Sequence, residues 1–417
     1  FAGEAAQEEL IRGIKALTPR PVVGVGRFTS PDAMVRQVKS GILNFVGAAR
    51  PSIADPFLPK KIEQGELDDI RECIGCNICV SGDMTMSISR CTQNSSFMEE
   101  WRKGWHPERI KAKASQSKVL IVGAGPAGLS AAHKLGLRGY EVSLAEATTE
   151  LGGRVSLESR LPGLSAWARV RDYRAGQIAK FSNVTVYRDS RLTADDIFDL
   201  GFEHVAIATG ADWRRDGVAR YNLLPIPVSP EAIVITPDEI MAGQRPKGHV
   251  VIYDDDHYYL AGVLAELLVA EGAKVTFVTP SAKVSEWAGN TLEQGRIQSR
   301  LMSLGVSLEL SHAVTAVKQG SVETTCTYTG RTRDLTCDAT VLVTARLPRD
   351  QLYLDLRNRE AEWADRGIRS VKVIGDANAP AAIAWATYAG HRYAEELDTP
   401  PIGDSLPFRR EIAALKS

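Results

Sequence analysis

The chain has 417 residues, 44% of them apolar and 24% charged, and a formal net charge of −1. That length gives room for two or three domains with full cores, and the near-neutral balance offers no bulk pull toward nucleic acid or an anionic membrane surface. No apolar run approaches the roughly 20 residues of a membrane-spanning helix, and there is no low-complexity tract or solenoid repeat.

In chain order, residues 4–17 place Leu10, Ile14 and Leu17 at helical spacing, which predicts a helix. Residues 21–25 read as a short strand ending in Gly26-Arg27, residues 31–39 as a helix, and residues 45–48 as a second strand ending in Ala49-Arg50. This β-α-β order fits the end of a (β/α)8 barrel, a fold that keeps its chemistry and a phosphate site at the C-terminal ends of its strands. Arg27 and Arg50 suit a phosphate monoester: arginine binds it bidentately, and the small Gly26 and Ala49 expose backbone N–H groups. The competing reading is two ordinary surface arginines.

Cys73, Cys76, Cys79 and Cys91 follow as C-x2-C-x2-C-x11-C, four of the chain's six cysteines. Such clustering argues against a disulfide scaffold and for a reducing compartment, so a cytoplasmic location is expected. Three thiolates at two-residue spacings can hold three corners of a [4Fe-4S] cube while the fourth arrives from a distance. Zinc, the alternative, usually takes two separate C-x2-C pairs, and here the middle cysteine is shared. Cys326 and Cys337 read as buried structural thiols.

A polar, basic linker runs from 101 to 118. Then a strand, the turn Gly123-Ala-Gly125-Pro-Ala-Gly128, a helix and a strand ending at Glu146 make a complete dinucleotide fingerprint. The glycines allow the tight turn and close pyrophosphate approach, and the acid can bind the ribose hydroxyls. Gly152-Gly153-Arg154 would bring backbone and a cation to the same ligand, and Gly375-Asp376 is a further glycine-ended strand of the kind that completes such a fold. A second unit over 249–279 has the same topology, but its turn reads Asp254-Asp255-Asp256-His257. With no glycine and three carboxylates, it excludes a pyrophosphate. It is expected to be a vestigial domain whose acidic turn is solvated charge, with a metal site as the lesser reading.

The stretches GVGRFTSPD, FVGAARPSIADPFLPKKIEQGELDDIRECIGCNICVSG, RCTQN, RKGWHPE, LIVGAGPAGLSAA and ATGADW together resemble the trimethylamine and histamine dehydrogenases, relatives of bacterial 2,4-dienoyl-CoA reductase in the old yellow enzyme class. The resemblance covers essentially the whole chain. It implies an α/β architecture: the C-terminal end of a TIM barrel, an iron–sulfur segment, then two Rossmann-like parallel-sheet domains. The expected division is 1–70 for the FMN-binding barrel part and 71–116 for the cluster segment and linker. The ADP-binding domain takes 117–245 plus 346–417, and the inserted NAD-like domain takes 246–345.

By matching motif, Gly26, Arg27, Ala49 and Arg50 would hold the FMN phosphate, and the four cysteines would hold the cluster. Gly123, Gly125, Gly128 and Glu146, with Gly153, Arg154 and Asp376, would surround ADP. The family's catalytic base and flavin-linking cysteine are expected upstream of Phe1. The activity implied is oxidative deamination of histamine or a similar small amine, with electrons leaving to an electron-transferring flavoprotein that docks around 167–173. Trimethylamine or dimethylamine dehydrogenase, and an NADPH-dependent 2,4-dienoyl-CoA reductase-like enzyme, are the alternatives; the acidic turn opposes the last. A homodimer is expected. Asp83, four residues after Cys79, stands where the trimethylamine branch has an aromatic ring that attracts a methylated ammonium. A carboxylate there suits a substrate with a second polar or cationic end, as in histamine; a turn cap is the plain alternative.

Overall fold

The computed structural model describes residues 3–400; Phe1 and the expected tail of the nucleotide domain, 401–417, lie outside the described residues. Strands Val23–Val25 and Phe45–Gly47 pair in parallel, Val23 opposite Phe45, with helix Pro31–Lys39 between them. Proline at its first position and Asp32 in its first turn favour that helix start. The helix expected over 4–17 is broken: only Glu8–Ile11 is α-helical, and Ile14–Leu17 is a 3-10 turn. Leu10 and Leu17 are exposed. Helical spacing without a surface to bury against does not hold so short a helix.

The first large sheet is parallel throughout. Its order is Ser370–Val373, His204–Ile207, Lys118–Val122, Glu141–Ala145, Val184–Tyr187. Four of the five residues of Lys118–Val122 are buried, as a central strand covered on both faces requires. On one face, helices Pro126–Arg138 and Ile383–Glu396 close a core that includes Val119, Ile121, Leu129, Leu135 and Leu144. On the other, Leu120, Val205 and Ile207 meet Ile197, Phe198 and Leu356. Each such fully buried side chain contributes about 1.5–3 kcal/mol relative to exposure.

The second parallel sheet runs Ser307–Leu310, Lys274–Thr279, His249–Asp254, Ala339–Val343, Val234–Ile235. A three-stranded antiparallel sheet, from His312 to Thr336, packs through Val314, Val317 and Val322 onto Val251, Tyr253 and Val278. Because Val234–Ile235 pairs with Ala339–Val343, this unit takes in residues ahead of the expected boundary at 246. A two-residue strand carries no periodicity by which to find it. Among the described residues no helix is long and apolar enough to cross a membrane.

Candidate functional site

Cys73, Cys76, Cys79 and Cys91 are free thiols that line one small cavity. The sequence between them explains the convergence. Gly75 and Asn77 both adopt left-handed backbone (φ 73° and 55°), so the chain reverses between successive cysteines. Glycine and asparagine tolerate that conformation at least cost. Asn77 then starts helix Ile78–Met84, which carries Cys79 and Asp83 one turn apart. Ile53, Ile74 and Ile78 dry the cavity, and the Thr92 hydroxyl lies 3.2 Å from Cys76 Sγ. Burial pushes the Cys76 thiol up to about 12 and the Cys79 thiol up to about 11, and raises Cys91 as well; the other cysteines add to each shift. Thiols so placed ionise only against a cation that takes their charge. Among the described residues no group of three or more His, Cys, Asp or Glu side chains forms a metal-ion site. A four-iron cube makes a different demand, four thiols set around a volume rather than on one point.

Gly26-Arg27 and Ala49-Arg50 do follow the paired strands, but both guanidinium groups turn onto the cysteine loop. Arg27 donates to the Cys73 carbonyl at 3.1 Å, and Arg50 donates to Asn77 Oδ1. Asn77 in turn donates to the Thr291 carbonyl (3.0 Å) and Glu293 (3.2 Å), which ties the loop to the second sheet unit. Gly26 is closed in rather than open: its carbonyl accepts from Ala5 N–H, and a Cβ there would strike the Phe28 ring. That packing occupies the carbonyl and Cβ sides of Gly26 and leaves the expectation for its N–H as it stood.

The glycine turn opens a cavity of about 1350 Å³ that contains Gly123, Gly125, Glu146, Gly153, Arg154 and Asp376 in its lining. Gly123 (φ 104°) has no room for a Cβ, which would lie 2.5 Å from the Ala208 carbonyl oxygen. Gly128 stands outside the lining; a Cβ there would overlap the Gly123 carbonyl, so its role is to seat the helix on the turn. No atom lies within 4 Å of a Cβ built on Gly125, which leaves its backbone open to a ligand. Glu146 is buried and pinned, accepting from Ala124 N–H (2.8 Å), Thr148 N–H (3.0 Å) and the Thr148 hydroxyl (2.9 Å). Arg154 and Asp376 line the cavity, and each is paired with a residue remote in sequence. Arg154 binds Asp238 at 2.7 Å and Asp376 binds Arg346 at 2.6 Å, and both guanidinium groups sit within 6 Å of the Trp213 ring. Asp238 is held there by a capping box, Thr236 with Glu239, that starts helix Pro237–Met241.

The acidic turn of the second unit is not solvated. Asp254 and Asp255 are at most 1% exposed, and His257 is buried with a left-handed backbone. His257 N–H donates to Asp254 (2.9 Å), its Nε2 lies 3.1 Å from Asp255, and Asp255 also accepts Tyr221 N–H (2.9 Å). Burial would lower the His257 imidazole, but its contact with Asp255 and the charges of Asp254 and Asp255 hold it above its ordinary value. The turn that should cradle a pyrophosphate is thus an inward-facing polar knot. The adjoining Tyr258, Tyr259, Trp167 and Trp287 form a chain of edge-to-face ring pairs 4.5–4.6 Å apart.

Family models match three stretches. Residues 2–69 match the NADH:flavin oxidoreductase / NADH oxidase family, 121–187 an NAD(P)-binding Rossmann-like domain, and 235–342 the OYE-like second alpha/beta domain. Dimethylamine dehydrogenase of Hyphomicrobium sp. (strain x) is 40% identical over 98% of this chain and 59% of its own length. The structure of histamine dehydrogenase from Rhizobium sp. 4-9 superposes with a TM-score of 0.96 at 63% identity, covering 100% of this chain and 61% of that one. The chain belongs to the histamine and dimethylamine dehydrogenase family. A further member, 6-hydroxypseudooxynicotine amine oxidase from Pseudomonas geniculata N1, is 47% identical with a TM-score of 0.92 over 96% of this chain and 60% of its own. The chain spans about three fifths of the length of these relatives.

For this amine dehydrogenase family member, sequence reasoning missed the residues that hold the sites together. Asp238 and Arg346 line the large cavity without belonging to any motif, and Trp213, which closes the ATGADW stretch, lines it with them. Arg174 is 3% exposed in helix Arg169–Ile178, on the same face as buried Val170 and Ile178. That spacing, a cation in an apolar stripe, was the available signal. Trp167, within the stretch expected to dock a partner, is buried against Tyr259, and Arg169 pairs with Glu72 at 2.7 Å. Asp83 is exposed, one helical turn from Cys79.

Proposed function

We propose that this chain is part of an iron–sulfur flavoprotein that oxidises histamine or a similar amine to the aldehyde and ammonia. The observation that carries this reading is the end-to-end likeness to histamine dehydrogenase, at 63% identity against 40% for dimethylamine dehydrogenase. The net change converts the alkylammonium and water to aldehyde, ammonium, two protons and two electrons. When bound, FMN would accept the electron pair and a [4Fe-4S] cluster would carry electrons singly toward an external electron-transferring flavoprotein.

The residues present fit these groups to different degrees. The four cysteines fit the cluster: their free thiols line one small cavity, and burial there disfavours their ionisation unless a cation takes up the charge. Gly123, Gly125 and Glu146 fit an adenine nucleotide, with Gly128 seating the helix behind them. Arg27 and Arg50, with Ala49, are the groups that would hold an FMN phosphate, although each guanidinium now rests on the cysteine loop. In the second unit the buried acidic knot supports ADP without redox function over a working NADPH site. Asp83 would meet the far end of the substrate through a charge-assisted hydrogen bond.

The test is steady-state turnover by the native protein that carries this chain, with histamine, dimethylamine and trimethylamine compared at equal concentration. Histamine should be preferred, and Asp83→Trp should raise its KM at least about tenfold, the loss that corresponds to about 1.4 kcal/mol of binding. Equal or faster turnover of trimethylamine would reject the histamine assignment.

A further inference from the structure

Arg174 is buried without an acid. Its five N–H donors are all used: Nε on the Ser130 hydroxyl (2.7 Å), Nη1 on Gln93 Oε1 and the Val170 carbonyl (both 2.9 Å), and Nη2 on the Thr92 (3.2 Å) and Gln93 (3.1 Å) carbonyls. Every acceptor is neutral, and no carboxylate lies within ion-pair reach among the described residues. Its charged surroundings make matters worse. Arg71 acts on it as a like charge, while the groups of opposite tendency are the Tyr173 phenol and the Cys91 thiol. Two half-buried imidazoles nearby are shifted the same way, His133 to about 3 and His391 well below its ordinary value, first by burial and then by charges that include Arg174 and Arg71. A buried guanidinium with satisfied hydrogen bonds but no counter-charge is costly. An anion beside it would offset that cost.

The geometry says where that anion belongs. Arg174 grips the two residues that follow Cys91. One of them, Thr92, places its hydroxyl on Cys76 Sγ. The other, Gln93, donates its amide to the Glu72 carbonyl at 3.0 Å, beside Cys73. One cation therefore organises the distant fourth cysteine against the first and second.

We propose that Arg174 is the fixed counter-charge of the cluster and the positioning residue of its fourth thiol. This rests on the cluster reading given above. A cube held by four thiolates is anionic, and more so when reduced, so a fixed cation beside Cys91 stabilises the reduced form and raises the reduction potential. It also explains why an apolar helix face carries an arginine.

The test compares anaerobically purified native protein with Arg174→Gln and Arg174→Lys, reading iron content and the cluster's midpoint potential by spectroscopic redox titration. Arg174→Gln should lower the potential by about 59 mV, tenfold in the one-electron equilibrium. Arg174→Lys, which keeps the charge, should recover most of that shift. Full iron with an unchanged potential in Arg174→Gln overturns the proposal, as does a lysine variant that shifts as far as the glutamine one. If Arg174→Gln loses its iron, Arg174→Lys must retain it; loss from both variants counts against charge compensation. Unmodified protein without iron would instead defeat the cluster reading itself.

Discussion

Asp254→Asn should change how stability depends on pH, and the size follows from the buried turn. Asp254 is fully buried at the end of strand His249–Asp254. One carboxyl oxygen accepts His257 N–H, and the other has no hydrogen-bond partner. Burial pushes its pKa up to about 7. A carboxyl whose folded-state pKa is raised binds its proton more tightly in the folded state, so stability falls as pH rises from the ordinary carboxylate range to that value. By pH 5 the unfolded chain has already lost most of this proton. Between pH 5 and pH 8 the folded state must give it up over two units, at about 1.4 kcal/mol each, or about 3 kcal/mol in all. His257, also raised, loses its contribution in the same direction, so the signs agree. Asparagine keeps the acceptor for His257 N–H and removes the titration. The assay is urea unfolding at pH 5 and pH 8, followed by pulsed hydrogen exchange of the second sheet at one fixed labelling pH. Wild type should lose about 3 kcal/mol more than Asp254→Asn across that interval. Parallel pH dependence in the two proteins would refute the reasoning.

Two further outcomes are expected. Cys76→Ser should abolish iron-dependent visible absorbance in anaerobically purified protein, because Cys76 is the shared middle cysteine of the run and a ligand under the proposed cluster; stoichiometric zinc without iron in the unmodified protein would sink the cluster assignment. Gly128→Ala should strip a tightly bound adenine nucleotide, since its Cβ would overlap the Gly123 carbonyl and displace the turn at a cost of about 1–3 kcal/mol; chromatography of ligands released on denaturation should show ADP in wild type and little in the variant, and equimolar FAD in wild type would refute the nucleotide assignment.

Much of the site was legible in the sequence because local chemistry dictates it. Gly123, Gly125 and Gly128 read as a dinucleotide turn, and in the structure a Cβ at Gly123 or Gly128 would strike backbone while Gly125 stands open. Four cysteines at C-x2-C-x2-C-x11-C read as one site from their spacing alone, and the left-handed backbone of Gly75 and Asn77 is what turns the thiols together. Strand and helix alternation gave the doubly wound sheets, since runs buried on both faces leave a plain apolar signature. What the sequence could not decide depends on partners distant in the chain. The three consecutive aspartates looked solvated because charge usually is; only tertiary structure buries Asp254 and Asp255 behind His257 and Tyr221. Helical spacing over 4–17 predicted a helix, yet Leu10 and Leu17 found no face to cover. Arg154 and Asp376 carry the right charges for a ligand, and only the fold pairs them with Asp238 and Arg346, remote in sequence. Arg174 shows the same limit. Its sequence neighbours mark it as an arginine on a helix, while its meaning comes from Thr92 and Gln93, some eighty residues earlier. A motif reports what a residue can do; the field and acceptors around it are set by the packing of the whole chain.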